Sequence, residues 1–171
     1  MDQKILLTYA SRGGSTQGVA HAIGAELVKQ GLTLDIRYLL DVKDIKPYDV
    51  VIIGAPIRMG HWLSEAQQFL TVHQNVLKNK KVALFVVCMT LHEDTPENRA
   101  KVLGMMQPTL ALVDSIDTGL FAGAMRPTKL KFFWRLLARI THVPEGDFRD
   151  YEIIRAWARG LASKLMPPTH L

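Results

Sequence analysis

"KILLTYASRGGSTQGVAHAIGAELVKQG", residues 4–31, changes its hydrophobic period partway along. Residues 4–9 form an apolar run that reads as a strand buried on both faces. Residues 15–30 place Val19, Ala20, Ile23 and Leu27 on one helical face, and Gly31 supplies the stop. Between the two lies a turn of glycines and hydroxyls, Ala10-Ser11-Arg12-Gly13-Gly14-Ser15-Thr16. A buried strand that passes through a tight glycine turn into an amphipathic helix is the first half of a βαβ unit.

The same alternation continues outward from this unit. "TLDIRY" (33–38) alternates as a strand with one polar face, while "DVVIIGA" (49–55) and "KVALFVV" (81–87) are continuous buried strands. A loop and then a helix over 64–73 separate the latter two. "TPENRAKVLGMM" (95–106) opens a helix with Thr95 as N-cap and Pro96 at its first position. "SIDTGLFAG" (115–123) is a fifth strand, and a last helix runs from the N-cap Asp150 to Leu165. The pattern predicts an α/β three-layer sandwich with a five-stranded parallel sheet in the order 2-1-3-4-5. No repeat or linker interrupts it, so residues 1–171 are expected to form one domain. In such a sheet, ligands sit beyond the carboxyl ends of the strands where the order reverses, which directs attention to the loops after strands 1, 3 and 4.

Composition narrows the class. A chain of 171 residues buries a full core without disulfides or metal, and 48% hydrophobic with 22% charged residues is ordinary for a globular protein. The single cysteine, Cys88, excludes a disulfide framework and a cysteine-based zinc site, so a reducing, cytoplasmic compartment is expected. No apolar run is long enough for a membrane span, and the first strand begins too early for a secretory signal. The net charge of +5 is local. Arg126, Lys129, Lys131, Arg135 and Arg139 lie within 126–142, which holds no acid, and the rest of the chain balances.

The opening turn is not a Walker A loop, because no Lys-Ser/Thr follows the second glycine. Gly13, Gly14 and Gly18 also miss the spacing of a dinucleotide fingerprint. What the turn offers is a row of backbone N–H groups, hydroxyls at Ser11, Ser15 and Thr16, and a helix N-terminus. That set suits a terminal phosphate. Arg12 adds charge to it or points to solvent. The alternative is a Ser/Gly turn that only caps the helix, with Ser15 as N-cap.

The hydroxyl-x-x-Gly-x-Thr arrangement of Ser11–Thr16 resembles the phosphate-binding signature of the flavodoxin-like FMN-binding family. "VIIGAPIRMGHW" (51–62), "FAGAMR" (121–126) and the aromatic-basic segment after it are similar to the menaquinone-dependent protoporphyrinogen oxidase branch of that family. The resemblance covers about Ile5 to Leu165. It implies a flavodoxin-like sandwich and FMN as cofactor, with the phosphate at Ser11, Arg12, Gly13, Gly14, Ser15 and Thr16. The loop Pro56-Ile57-Arg58-Met59-Gly60-His61-Trp62 would lie against the isoalloxazine ring, with Ile57, Met59, His61 or Trp62 supplying apolar faces. Cys88-Met89-Thr90-Leu91-His92 would close the other side. Taken alone, Trp62 reads as a packing residue, His61 as a helix-edge histidine and Cys88 as a small buried apolar residue. The acidic, tyrosine-bearing version of the last loop found in electron-carrier flavodoxins is absent.

No Ser-His-Asp order, carboxylate pair or clustered metal ligands appear, so no metal is expected and the chemistry belongs to the cofactor. Arg58 and His61 are the candidates for proton transfer, by loop position only. "RPTKLKFFWRLLARITH" (126–142) reads as a basic amphipathic helix, with Trp134 among its apolar residues and Lys131, Arg135 and Arg139 along one side. It packs on the core or lies on an anionic membrane. The resemblance places it in a helical insertion, 126–148, near substrate and the quinone pool, where Arg126, Lys129, Lys131 and Arg135 suit the propionates of a porphyrinogen. Nucleic acid is not an expected partner, since no nucleic-acid fold accompanies the charge. A homo-oligomer is compatible with the sequence. One positive charge about 10 Å from the ring, at a dielectric near 20, stabilises an anionic reduced flavin by roughly 1.7 kcal/mol. That raises its potential by about 70 mV, the sign wanted in an electron acceptor. The expected function is thus porphyrinogen oxidation with electrons passed to a quinone, in heme biosynthesis, at the cytoplasm or the cytoplasmic membrane face. The alternatives are an electron carrier, an NAD(P)H-dependent quinone reductase or a regulatory FMN-binding module.

Overall fold

A computed structural model describes residues 3–125 and 144–166. Strands β1 (Ile5–Tyr9), β2 (Leu34–Tyr38), β3 (Val50–Arg58), β5 (Lys81–Cys88) and β6 (Ser115–Ala122) run parallel in the order β2-β1-β3-β5-β6. The two-residue strand β4 (His61–Trp62) pairs antiparallel with the end of β3. With β4 set aside, this is the expected 2-1-3-4-5 order, and the sequence order reverses across β1, between β2 and β3. The chain is an α/β flavodoxin-like sandwich.

Strand side chains alternate between two cores because consecutive residues of a strand point to opposite faces. On one face Ile5, Leu7, Val50 and Ile52 meet Val19, Ile23 and Leu27 of α1 (Ser15–Lys29) and Ile154 and Leu161 of the C-terminal helix α4 (Tyr151–Leu165). On the other, Leu6, Val51, Ile53 and Leu84 meet Phe69 and Leu70 of α2 (Ser64–Leu77) and Val102 and Met106 of α3 (Pro96–Leu110). Each such side chain, fully removed from water, contributes about 1.5–3 kcal/mol. Gly54 interrupts the β-branched run of β3 for a steric reason: a Cβ there would lie 1.8 Å from Cζ of Phe85, its register partner on β5.

The expected caps are present. Thr95 Oγ1 accepts from Asn98 N at 3.1 Å, and Asp150 Oδ1 accepts from Glu152 N and Ile153 N at 2.9 and 3.1 Å. Gly31, at φ 87°, ends the turn after α1. Other boundaries differ. α2 runs to Leu77 rather than to residue 73, and α3 continues through Pro108 to Leu110, held by the buried Met106 and Thr109. The capping residue of α1 is Gly14, at φ 85°, and not Ser15, which is the first helical residue.

The expected helical insertion 126–148 is corrected at its far end. Gly146–Asp147 form strand β8, paired antiparallel with β7 (Ala124–Met125). Phe148 N donates to Gly123 O at 3.1 Å, so the chain returns beside the point from which it left. Residues 126–143, and with them Arg126, Lys129, Lys131, Trp134, Arg135 and Arg139, lie outside the described residues.

Candidate functional site

The connections after β1, β3 and β5 meet at the carboxyl edge of the sheet, flanking the reversal point. In the first, Ser11 Oγ accepts from Gly14 N at 3.0 Å, which closes the turn from within. Gly14 takes the left-handed conformation that only glycine adopts freely, and α1 starts directly behind it. Gly13 is exposed, and a Cβ there would have nothing within 4 Å. Thr16 is fully buried in the first turn of α1, and its Oγ1 has no hydrogen-bond partner among the described residues. A buried hydroxyl left unpaired costs about 1–3 kcal/mol. It fits a phosphate oxygen arriving at the helix N-terminus, where unpaired amides and the helix dipole favour an anion. The residues therefore suit the phosphate of the FMN that the resemblance implies.

Arg12 is exposed but not unpaired. Its guanidinium pairs with Glu65 in the first turn of α2, on the far side of the site. Partial burial pushes the Glu65 carboxyl up. Hydrogen bonds from its own backbone N–H, Ser64 and Arg12 outweigh that and hold it below the ordinary carboxylate range.

The second connection, expected as a loop, is a β-hairpin. β3 continues through Pro56 to Ile57 and Arg58, which pair back onto Trp62 and His61 across a two-residue turn. Met59 (φ 50°) and Gly60 (φ 81°) both have positive φ, the backbone twist that matches two antiparallel strands. Met59 is 81% exposed, and Arg58 and His61 are exposed beside it. Trp62 departs from the expectation of a ring face. It is buried, and its indole N–H donates to Ala55 O at 3.0 Å, pinning the hairpin to the core from below.

The third connection is a 3-10 turn, Met89–His92, following the buried Cys88. Leu91 points into the core, whereas Met89 and Thr90 are half-buried and His92 is exposed. His92 Nδ1 lies 2.9 Å from Met89 O, and its ring meets Phe148 edge-on at 5.7 Å. Gly123 stands where the phosphate turn and this third connection approach each other. A Cβ on it would lie 3.1 Å from Val87 Cγ1, 3.4 Å from Met89 Sδ and 3.9 Å from Ser15 Oγ. Inspection of the sequence picks out neither Glu65 nor the 147–149 stretch. The available signals were an acid in the first turn of α2 and the i, i+2 spacing of Asp147 and Arg149, which puts two extended residues on one face. A separate cleft of about 670 Å³, lined by Leu77, Lys78, Lys81, Leu112 and Ile116 among others, opens at the amino ends of β5 and β6, away from these loops. Among the described residues no cluster of potential metal ligands occurs, and no helix is long and apolar enough to cross a membrane.

A doubly wound sheet with a glycine-capped first helix and two flanking connections at the reversal point defines a phosphate-binding α/β domain of the flavodoxin type. The chain belongs to the flavodoxin domain family, whose model matches residues 6–151. It is 24% identical over 180 residues to protoporphyrinogen IX dehydrogenase [quinone] of Escherichia coli strain K12, covering 97% of this chain and 98% of that one. A protein of the same name from Leishmania major is 26% identical over 183 residues, covering 94% and 75%. Among solved structures, oxidised flavodoxin 2 of Bacillus cereus superposes with a TM-score of 0.63 at 22% identity, covering 94% of this chain and 99% of that one.

Proposed function

We propose that this chain is an FMN-dependent oxidoreductase that takes electrons from a reduced, carboxylate-bearing tetrapyrrole of the protoporphyrinogen type and passes them to a quinone. FMN is its cofactor. When bound, FMN supplies hydride acceptance from a C–H bond and onward transfer to a quinone. The turn at Ser11–Thr16 holds the phosphate through backbone N–H groups and the Thr16 hydroxyl. Ile57, Met59 and His61 flank one side of the ring, and Met89, Thr90 and His92 the other. Trp62 and Leu91 fix these two connections from within the core. His61 is an exposed imidazole able to take a proton, with Arg58 beside it.

One observation favours an enzyme over a simple carrier. The β7–β8 pair brings together Met125 and Gly146, which flank the basic stretch in sequence, beside the site, where Phe148 meets His92 and Gly123 approaches Ser15. The five positive charges that the sequence carries within 126–142 suit a substrate with two carboxylates, and positive charge near a flavin raises its potential. The relatives named as protoporphyrinogen IX dehydrogenase, aligned over nearly the whole chain, support the same substrate. The test is anaerobic mixing of FMN-loaded protein with protoporphyrinogen IX or with NADPH. Bleaching of the yellow flavin by the porphyrinogen alone, reversed by a quinone, is expected. Bleaching by NADPH alone identifies a quinone reductase, and bleaching by neither an electron carrier.

A further inference from the structure

We infer that Arg149, through its contacts with Ser15 and Gly18, is the positioning residue that sets the first turn of α1 for the cofactor's phosphate. The inference rests on the FMN-binding reading above and adds to it a residue outside the three connections. Arg149 lies just before the α4 cap, 134 residues from Ser15 in sequence, yet its side chain is only 11% exposed. Three of its contacts converge. Asp147 grips the guanidinium in fork fashion, with Nε on Oδ1 at 2.8 Å and Nη2 on Oδ2, and Oδ1 also accepts from Arg149 N at 3.2 Å. The remaining arm, Nη1, reaches Ser15 O at 3.4 Å. Tyr151 lies against the guanidinium, 5.4 Å from ring centroid to Cζ.

The contact with α1 is close enough that a side chain at Gly18 would displace the guanidinium. A Cβ on Gly18 would lie 2.4 Å from Arg149 Nη1 and 3.3 Å from the Tyr151 hydroxyl. Glycine is a poorer helix former than alanine, and at this position its missing Cβ leaves room for the guanidinium. Asp147, in turn, belongs to β8, which is paired with β7. The phosphate turn is thereby fastened to the β7–β8 pair by one planar cation, whose fork geometry a lysine lacks.

A group that orders the phosphate-binding turn alters affinity for FMN and leaves affinity for riboflavin, which carries no phosphate, unchanged. Flavin-free protein is titrated with each flavin by fluorescence quenching, using the parent chain, Arg149→Gln, Arg149→Lys and Gly18→Ala. Arg149→Gln and Gly18→Ala are expected to weaken FMN binding about tenfold, the scale of one charge-assisted contact. Riboflavin binding should stay within about twofold of the parent, and Arg149→Lys should restore only part of the loss. Gly18→Ala keeps the arginine charge and displaces the guanidinium, so it separates position from charge. Equal weakening of both flavins, or an unchanged FMN-to-riboflavin ratio in Gly18→Ala and Arg149→Gln, overturns the inference. A parent chain that binds neither flavin fails the FMN reading itself.

Discussion

Replacing Thr16 by valine should move two measurements in opposite directions. In flavin-free protein the Thr16 hydroxyl is buried and has no partner among the described residues, so removing it while keeping the side-chain shape relieves about 1–3 kcal/mol. In a domain of this size each kcal/mol is worth about 2–4 °C of melting temperature, so the flavin-free variant should melt higher than the parent. In the loaded protein the same hydroxyl bonds a charged phosphate, a contact worth about 1.5–3 kcal/mol, so FMN affinity should fall roughly 10- to 150-fold. At an FMN concentration about 100 times the parent's Kd, ligand binding stabilises the parent by about 2.7 kcal/mol and the variant by only about 0.3–1.4 kcal/mol. Melting curves with and without FMN, read with a fluorescence titration, measure both effects. A flavin-free variant less stable than the parent, or an FMN shift equal to the parent's, refutes the assignment of Thr16 to the phosphate.

Glu65→Gln should leave stability within about 1 kcal/mol, since Arg12 is more than half exposed in that ion pair, and should tighten FMN binding about two- to fivefold by releasing the Arg12 charge. Titrations at rising salt should erase the gain. His73 packs 4.5 Å from the Phe69 ring, and burial holds its pKa below the ordinary 6.5, against a weaker opposing pull from Asp44. The fold therefore favours the neutral ring, and the unfolded chain takes up the proton first as pH falls below 6.5. Melting temperatures from pH 7.5 down to 5 should fall more steeply for the parent than for His73→Gln, and parallel profiles would dismiss this contribution. If the basic stretch lies on an anionic membrane rather than on the core, exchanging Lys131, Arg135 and Arg139 for Gln should reduce pelleting with anionic vesicles, most clearly at low salt, and unchanged pelleting would return it to the core-packing alternative.

Much of the architecture is legible in the sequence because each strand advertises itself locally. The continuous apolar runs of β1, β3 and β5 leave little choice but a sheet covered on both faces, and Thr95 and Asp150 cap the helices they precede. The phosphate turn is legible for a similar reason, since glycine and hydroxyl chemistry acts over a few neighbouring residues. The hairpin at 56–62 is not, because its turn uses Met59 in a left-handed conformation where the usual signal is asparagine or glycine. Trp62 taken alone reads correctly as a packing residue, and it is the resemblance of its loop that suggests a ring face; the carbonyl of Ala55, which accepts its indole N–H, shows that it turns inward. The contact of Arg149 with Ser15 has no local signature, since it joins residues 134 apart in sequence, even though the spacing of Asp147 and Arg149 hints at their pairing. Pro108 shows the converse, a helix breaker overridden by the packing of Met106 and Thr109.

The location of the cofactor is most directly measured by amide hydrogen exchange on flavin-free protein before and after FMN is added. New protection is expected over residues 10–18, 56–62 and 88–92, with none over 110–116 at the cleft on the opposite end of the sheet. Protection confined to 110–116, or no change at 10–18 under saturating FMN, would contradict the placement of the phosphate at the start of α1.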